Sequence, residues 1–436
     1  MEVSLFLLAA YDDVIICAKL KTEFADSALR RILSLNRILP LGALLLLTLC
    51  LFACQATTSS ALATSAAPAD AVASQVADNL TAAVPTSGLP PASGLTGNPD
   101  LRVVYEKSGN LWAWTGSSIS QITSGGPDSR PRLSADGKLV AFQRGAELWV
   151  VEISGQNPRK LYGEAGALPL QFEFAPSGHK VYFTSVASDG TPRFDLNLAD
   201  ADGNSARPLL AAGQGGEFTF LSDGSQLALV QPDKIIVARA DGMGAQVVHQ
   251  FPPTKGPKGD YLPHIAWMDN GYGFKTVIPG KPARFMFIMA AGGQVAQLAE
   301  FPAAPPSISD TYIAPDGSKL MYLKEQGGNF ELHVIDASTA DKTYFGYARD
   351  KFGILGWTPD SRNMLFWIDD PRRTWMAAGD NQSPLSDGTY AAAVTWVDAN
   401  TYLFLNESEL RLRIVGQPSQ AIDTGVTDSF DAILMR

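Results

Sequence analysis

An all-β fold, a β-propeller of four-stranded blades, is what this sequence predicts, and three observations predict it. A turn marker recurs along the chain at Gly137, Gly178, Gly224, Gly271, Gly317, Ser361 and Asn400, with spacings of 41, 46, 47, 46, 44 and 39 residues. Five residues past each marker stands Phe142, Phe183, Leu229, Thr276, Tyr322, Phe366 or Leu405, apolar in all units but one, so turn and strand keep one register. Within a unit, short apolar runs such as Glu147–Ile153 alternate between Gly, Pro, Asp and Asn, and no long stretch has the 3.6-residue period of a helix. About four strands in a repeat of about 40 to 50 residues make a propeller blade.

In chain order, residues 1–53 read as a leader. Ile38 to Ala53 form an apolar run behind Arg30, Arg31 and Arg37, which is the charge order of a secretory signal. Asp12, Asp13, Glu23 and Asp26 are foreign to such a region and predict a translation start nearer the arginine pair. The run ends in Leu51-Phe52-Ala53-Cys54, which resembles the lipobox of bacterial lipoproteins, with Phe52 where that motif has a small or β-branched residue. The resemblance implies that Cys54 becomes the acylated first residue of an exported chain held to a membrane by its lipid. The same run also suits an ordinarily cleaved signal or an uncleaved anchor, although about 16 residues fall short of the roughly 20 that span a bilayer. All three readings export the rest. Cys17, Cys50 and Cys54 are the only cysteines, so the exported domain has no disulfide and must be stable through its core.

Residues 54–100 are rich in Ala, Ser, Thr and Pro, and no Lys or Arg occurs between Arg37 and Arg102. This composition predicts a lipid-anchored flexible tether. The propeller spans residues 101–436. Leu101–Glu106, Asn110–Trp114 and Ser118–Thr123 read as three strands of a blade that lacks its innermost one, and Ser429–Met435 supplies it, so the two ends share one blade and close the ring. Seven units and this composite make eight blades; a seven-bladed ring is the alternative if the last, worn unit is not a full blade.

The turn signature, matched best by Pro131–Phe142 and Ala314–Gly317 and more loosely by Phe174–Gly178 and Trp357–Ser361, resembles that of TolB-like, WD-repeat-like β-propellers. The resemblance covers Leu101 to Arg436 and implies a propeller that binds partners in envelope assemblies. The separate N-terminal domain of TolB has no counterpart in residues 55–100. The fold alone leaves activity open, because propellers host many functions.

A formal charge of −10 with no basic stripe excludes a nucleic-acid binder. No G-x-S-x-G is present to serve as a hydrolase nucleophile elbow. His179, His249, His264 and His333 fall in different units without metal-ligand spacing, so no metal and no cofactor is expected. Asp136–Gly137, Asp223–Gly224, Asp316–Gly317 and Asp360 read as structural turns, in which the carboxylate accepts nearby backbone N–H groups and Gly takes a positive φ. Trp267, Trp357 and Trp396 share one column of the repeat, which predicts packing between blades.

The candidate binding site lies on the longest loops, Phe251–Asp260 between units and Lys275–Arg284 within one. Together they carry Lys255, Lys258, Lys275, Lys281 and Arg284 beside Tyr261 and His264, a local basic patch suited to an anionic partner. The expected partner is an envelope protein or a polysaccharide, bound by a monomeric ring with no catalysis. The alternative is a lyase or glycosidase whose carboxylates line the central channel, for which Glu173 and Glu217 are the isolated candidates on first strands.

Overall fold

A computed structural model describes residues 100–435 except 117, 204–205, 257–258, 269–270, 272, 281–283, 302–307, 327–328, 337–341, 349–351, 370–371, 379–384 and 387–388. Cys54, the leader and nearly all of the tether lie outside the described residues. Eight four-stranded antiparallel sheets form a ring. Blade 1 is the composite: Val426–Leu434 is its first strand, followed outward by Leu101–Lys107, Asn110–Trp114 and Ile119–Gln121. The register of the closing pair runs from Leu101 opposite Leu434 to Tyr105 opposite Phe430. Blades 2, 3 and 4 follow from Asp128 to Tyr162, Ala167 to Leu210 and Glu217 to Gln250. Blades 5 to 8 run from Ile265 to Phe301, Ile308 to Ala348, Phe352 to Ser386 and Ala393 to Thr424. The last unit has all four strands, which sets aside the seven-bladed alternative. First strands of blades 1 and 2, 2 and 3, 6 and 7, and 8 and 1 lie against one another along the inner wall.

The core is divided among the seams. Each pair of adjacent blades encloses one apolar cluster, such as Leu139, Leu148, Val181 and Phe183 between blades 2 and 3, or Met321, Leu332, Trp357 and Phe366 between blades 6 and 7. The remaining six seams are filled in the same way. This explains a departure from simple alternation. Third strands such as Glu147–Glu152 alternate in burial, but second strands such as Leu139–Phe142 and Leu227–Gln231 are buried on both sides, because each blade has a neighbour on either face.

Antiparallel order fixes the two faces of the ring. Turns from first to second strands and from third to fourth strands lie on one, the turn face; second-to-third hairpins and blade-to-blade connections lie on the other, the loop face. All seven sequence markers fall in first-to-second-strand turns. The chain joins the ring on the turn face, where Met435 N donates to Asp100 O at 2.9 Å.

Candidate functional site

The turn aspartates are bound up in local structure. Asp136 Oδ1 accepts from Ser134 Oγ at 2.8 Å and Lys138 N at 3.2 Å, while Gly137 at φ 65° donates its N–H to Ser134 O at 2.8 Å. Asp223 and Asp316 each accept the backbone N–H two residues on, at 2.8 Å, with Gly224 and Gly317 at positive φ. Asp360 accepts Thr358 Oγ1 at 2.6 Å and Arg362 N at 3.1 Å, and here Ser361 takes the left-handed conformation.

These turns also fasten blades together, which the sequence motif does not reveal. A Cβ on Gly317 would lie 2.8 Å from Lys275 Cδ of the preceding blade, and Asp316 N donates to Ser361 Oγ of the following one at 2.9 Å. Asp136 meets His179 of blade 3: Nε2 stands 3.2 Å from Asp136 Oδ2, and Nδ1 stands 2.8 Å from Asp202 Oδ2. Burial opposes the charged imidazole, but hydrogen bonds to Asp202 and Asp136 outweigh it and hold the His179 pKa above its ordinary value.

The loop-face candidates separate. Lys255 is exposed and paired with Asp260 at 2.5 Å, in a small hairpin of Lys255–Gly256 against Gly259–Asp260. Lys258 and Lys281 lie outside the described residues. Arg284 opens the third strand of blade 5 opposite Gly280, on the loop face. His264 is exposed, and its carbonyl accepts Thr276 Oγ1 at 2.7 Å.

Two placements are corrected. Tyr261 is a core residue, 9% exposed, packed edge-on against Phe285 and donating its hydroxyl to Val277 O at 3.1 Å. Burial pushes its pKa far up, so it presents neither a charge nor a surface to a partner. Lys275 stands two residues into its strand and therefore on the turn face, where its ammonium donates to Gly317 O at 2.7 Å. The five basic side chains do not form one described patch.

The two long loops are nonetheless neighbours, and between their bases lies an open cleft of about 530 Å³ lined by His249, Gln250, Phe251, Pro252, Pro279, Gly280 and Met286. Phe251 N donates to Asp233 O at 2.9 Å, which pins the base of the connection. Burial pushes the His249 imidazole below its ordinary pKa, so it stays neutral at pH 7. Sequence reasoning chose the exposed lysines and passed over these residues. The available signal was the pair of prolines, Pro252 and Pro279, which stiffen the bases of both loops.

In the channel a second cavity, about 460 Å³, is lined by Arg130, Arg132, Thr395, Asp428, Ser429, Phe430 and Asp431. Its charged groups largely serve the ring. Arg130, at φ 55°, donates its backbone N–H to Ser429 Oγ of blade 1 at 2.8 Å, and its guanidinium donates to Pro169 O and Leu170 O of blade 3. Asp431 accepts Leu133 N at 2.8 Å and Ala432 N at 2.9 Å. Gln171 joins blades 3 and 4 by exchanging two hydrogen bonds with the Phe218 backbone, at 2.7 and 2.9 Å. Burial raises the pKa of Glu173, reinforced by Asp431 and offset in part by Gln171 and Arg132, while Glu217 opens its strand at an exposed position. Among the described residues no three His, Cys, Asp or Glu side chains gather in a metal-binding group. Trp357 donates its indole N–H to Tyr312 O of the neighbouring blade at 2.8 Å, so this member of the tryptophan column joins blades.

The fold and these sites define a closed eight-bladed β-propeller with a loop-face cavity. No protein family matches the sequence. No curated protein matches it at a significant level. Solved structures do match. The chain is similar to an oligogalacturonate lyase in complex with manganese, with 16% identity and a TM-score of 0.45 over 64% of this chain and 91% of that one. It is similar to a eukaryotic initiation factor, with 11% identity and a TM-score of 0.48 over 76% and 98%. TolB structures are among the matches: the putative TolB from Agrobacterium tumefaciens matches with 12% identity and a TM-score of 0.33 over 58% and 92%. At these scores the likenesses carry no argument about activity.

Proposed function

We propose that this protein is an exported, lipid-anchored β-propeller that serves as a non-catalytic binding or scaffolding module at the cell envelope and shows its loop face to a protein or polysaccharide partner. One observation carries this reading: the chain joins the ring on the turn face, through Asp100 beside Met435. In this reading a tether held at Cys54 by acyl chains enters the ring on the turn face and leaves the loop face unobstructed. The stretch from Gln55 to Asp100 is 46 residues long, enough chain to hold the ring clear of a membrane surface. The cleft between Phe251–Pro252 and Pro279–Gly280 lies on that loop face, and its apolar walls with a neutral histidine suit an uncharged segment of a partner.

The channel supports the non-catalytic side of this reading. Its charged side chains are bound into contacts between blades: Asp431 accepts Leu133 N at 2.8 Å, and Arg130 donates to Pro169 O and Leu170 O. Two experiments test the proposal. Labelled fatty acid is expected in the wild-type chain and not in Cys54→Ala. A photoreactive residue at position 252 is expected to capture a partner in intact cells, and one at position 223 on the turn face is not. Capture from position 223 alone, or equally from both, rejects the display geometry.

A further inference from the structure

We propose that the seam between blades 4 and 5 is a joint of the ring, open in this structure, which closes when Trp267 of blade 5 donates its indole N–H to Thr219 O of blade 4. Trp267 Nε1 is buried and has no hydrogen-bond acceptor among the described residues. A buried N–H without an acceptor forfeits its bond to water and gains nothing in return, so a folded chain seldom keeps one without a reason.

The repeat points to the missing acceptor. Trp267 and Trp357 each stand four residues before their turn markers, Gly271 and Ser361, and each closes the first strand of its blade. Trp267 pairs with Phe274 and Trp357 with Met364, so the two hold the same place in the ladder. Trp357 Nε1 donates to Tyr312 O, on the first strand of the preceding blade, at 2.8 Å. Tyr312 stands five residues before Gly317 and pairs with Met321. The residue so placed in blade 4 is Thr219, five before Gly224 and paired with Ala228. Two seams of one design therefore differ in one bond, made between blades 6 and 7 and unmade between blades 4 and 5.

The surroundings agree with an open joint. Trp267 lies in the wall of a turn-face cleft of about 560 Å³, with Val237 and Val248 on the blade 4 side and Phe274 and Ala290 on its own. The loop-face cleft borders the same seam on the other face of the ring. Adjoining seams carry polar side-chain ties, from Gln171 to the Phe218 backbone between blades 3 and 4 and from Lys275 Nζ to Gly317 O between blades 5 and 6. Between the two clefts the seam holds Ile235, Phe251 and Ile288, and apolar contact is non-directional and does not fix one spacing. Here Trp267 meets Phe274 edge-on, with centroids 5.9 Å apart, and closure exchanges part of that contact for the hydrogen bond. Packed interfaces switch between discrete arrangements rather than deform continuously, which makes the joint two-state. Closure narrows the turn-face cleft and requires no partner, so it stands or falls separately from the display role.

The test is NMR of the full chain in detergent with its eight tryptophan indoles labelled with nitrogen-15. Trp267→Phe and Trp357→Phe assign the two signals, and Trp→Tyr serves at either position if the Phe variant does not fold. Relaxation dispersion reads exchange on the μs–ms scale. It is expected at Trp267 and not at Trp357, with the second state of Trp267 shifted downfield in its indole proton, toward the hydrogen-bonded Trp357. The Trp267 indole hydrogen should also exchange with D2O about tenfold faster than that of Trp357, because its bond is only intermittently made. A Trp267 signal without dispersion overturns the proposal: rapid hydrogen exchange would then fix the seam open, and exchange as slow as that of Trp357 would fix it closed. Equal dispersion at both tryptophans, or a second state of Trp267 shifted upfield, overturns it as well.

Discussion

The ring is fastened differently at its closing seams and at the seam between blades 4 and 5. Where blade 8 meets blade 1, Tyr105 Oη donates to Asp423 Oδ2 at 2.8 Å and Lys107 Nζ to Asp423 Oδ1 at 2.8 Å, above an apolar cluster that includes Leu403, Leu405 and Phe430. On the other side of blade 1, Asp431 and Ser429 accept backbone N–H groups of blade 2. The blade 4/5 seam instead relies on Ile235, Phe251, Phe274, Ile278 and Ile288, and it is bordered by cavities on both faces of the ring. The difference teaches that closure is made specific by directional polar contacts, while the opposite seam combines apolar adhesion with open surface. Polar closure and open surface thus lie in different arcs of the same ring.

The largest effect is expected at the apolar seam. Phe274 is 2% exposed and meets Trp267 edge-on with centroids 5.9 Å apart. Phe274→Ala should cost about 3 to 4 kcal/mol in urea unfolding, since the truncation removes buried area and leaves a cavity. A loss below about 1 kcal/mol would show that this seam contributes little and that the polar closure carries the ring.

The next test is the closure itself. Asp423→Ala leaves a phenol and an ammonium without their acceptor, and because water reaches Lys107 the cost should be about 2 kcal/mol. Burial opposes the Asp423 carboxylate, but hydrogen bonds from Lys107 and Tyr105 outweigh it and hold its pKa below the ordinary value. A depressed carboxylate contributes stability that is present above about pH 3.9, its unfolded value, and is lost as pH falls through the folded one. Wild type should therefore lose stability more steeply than Asp423→Ala below about pH 4. Parallel acid unfolding curves would remove the polar closure from the account.

Blade count and ring closure were legible in the sequence because turn chemistry is local: Asp136–Gly137 and Asp316–Gly317 specify a corner within four residues. The fastening between blades was not, since Lys107 and Asp423 are separated by 316 residues and nothing in either neighbourhood names the other. Lys275 could have been placed. It falls four residues after Gly271, the column of Ala141, Tyr182 and Met321, near the turn end of its strand rather than the loop end. Tyr261 could not, because its burial depends on Phe285 and Thr311 coming from two blades.

A smaller effect is expected at the His179 clip between blades 2 and 3. Its raised pKa means the clip contributes fully below about pH 6.5, the unfolded value, and is lost as pH rises through the folded one. His179 and its partners are partly open to water, with side-chain exposures of 25%, 37% and 65% for His179, Asp136 and Asp202, so the contribution stays below about 1 kcal/mol. His179→Gln should flatten the decline in stability above about pH 6.5 in thermal melts. An unchanged slope would assign that decline to other groups.

The smallest effect is expected in the connection that bridges blades 4 and 5. Lys255 is 77% exposed and Asp260 is 37% exposed, so their ion pair should be worth no more than about 0.5 kcal/mol. Lys255→Ala should leave urea unfolding unchanged within that margin. Pro252→Gly, which loosens the wall of the loop-face cavity two residues from the blade 4 strand, should also leave the ring stable but weaken capture of a partner. If Lys255→Ala abolishes capture and Pro252→Gly does not, recognition rests on charge at the hairpin tip and the cavity is incidental. If both bind as wild type does, the open surface of this arc serves the turn face alone.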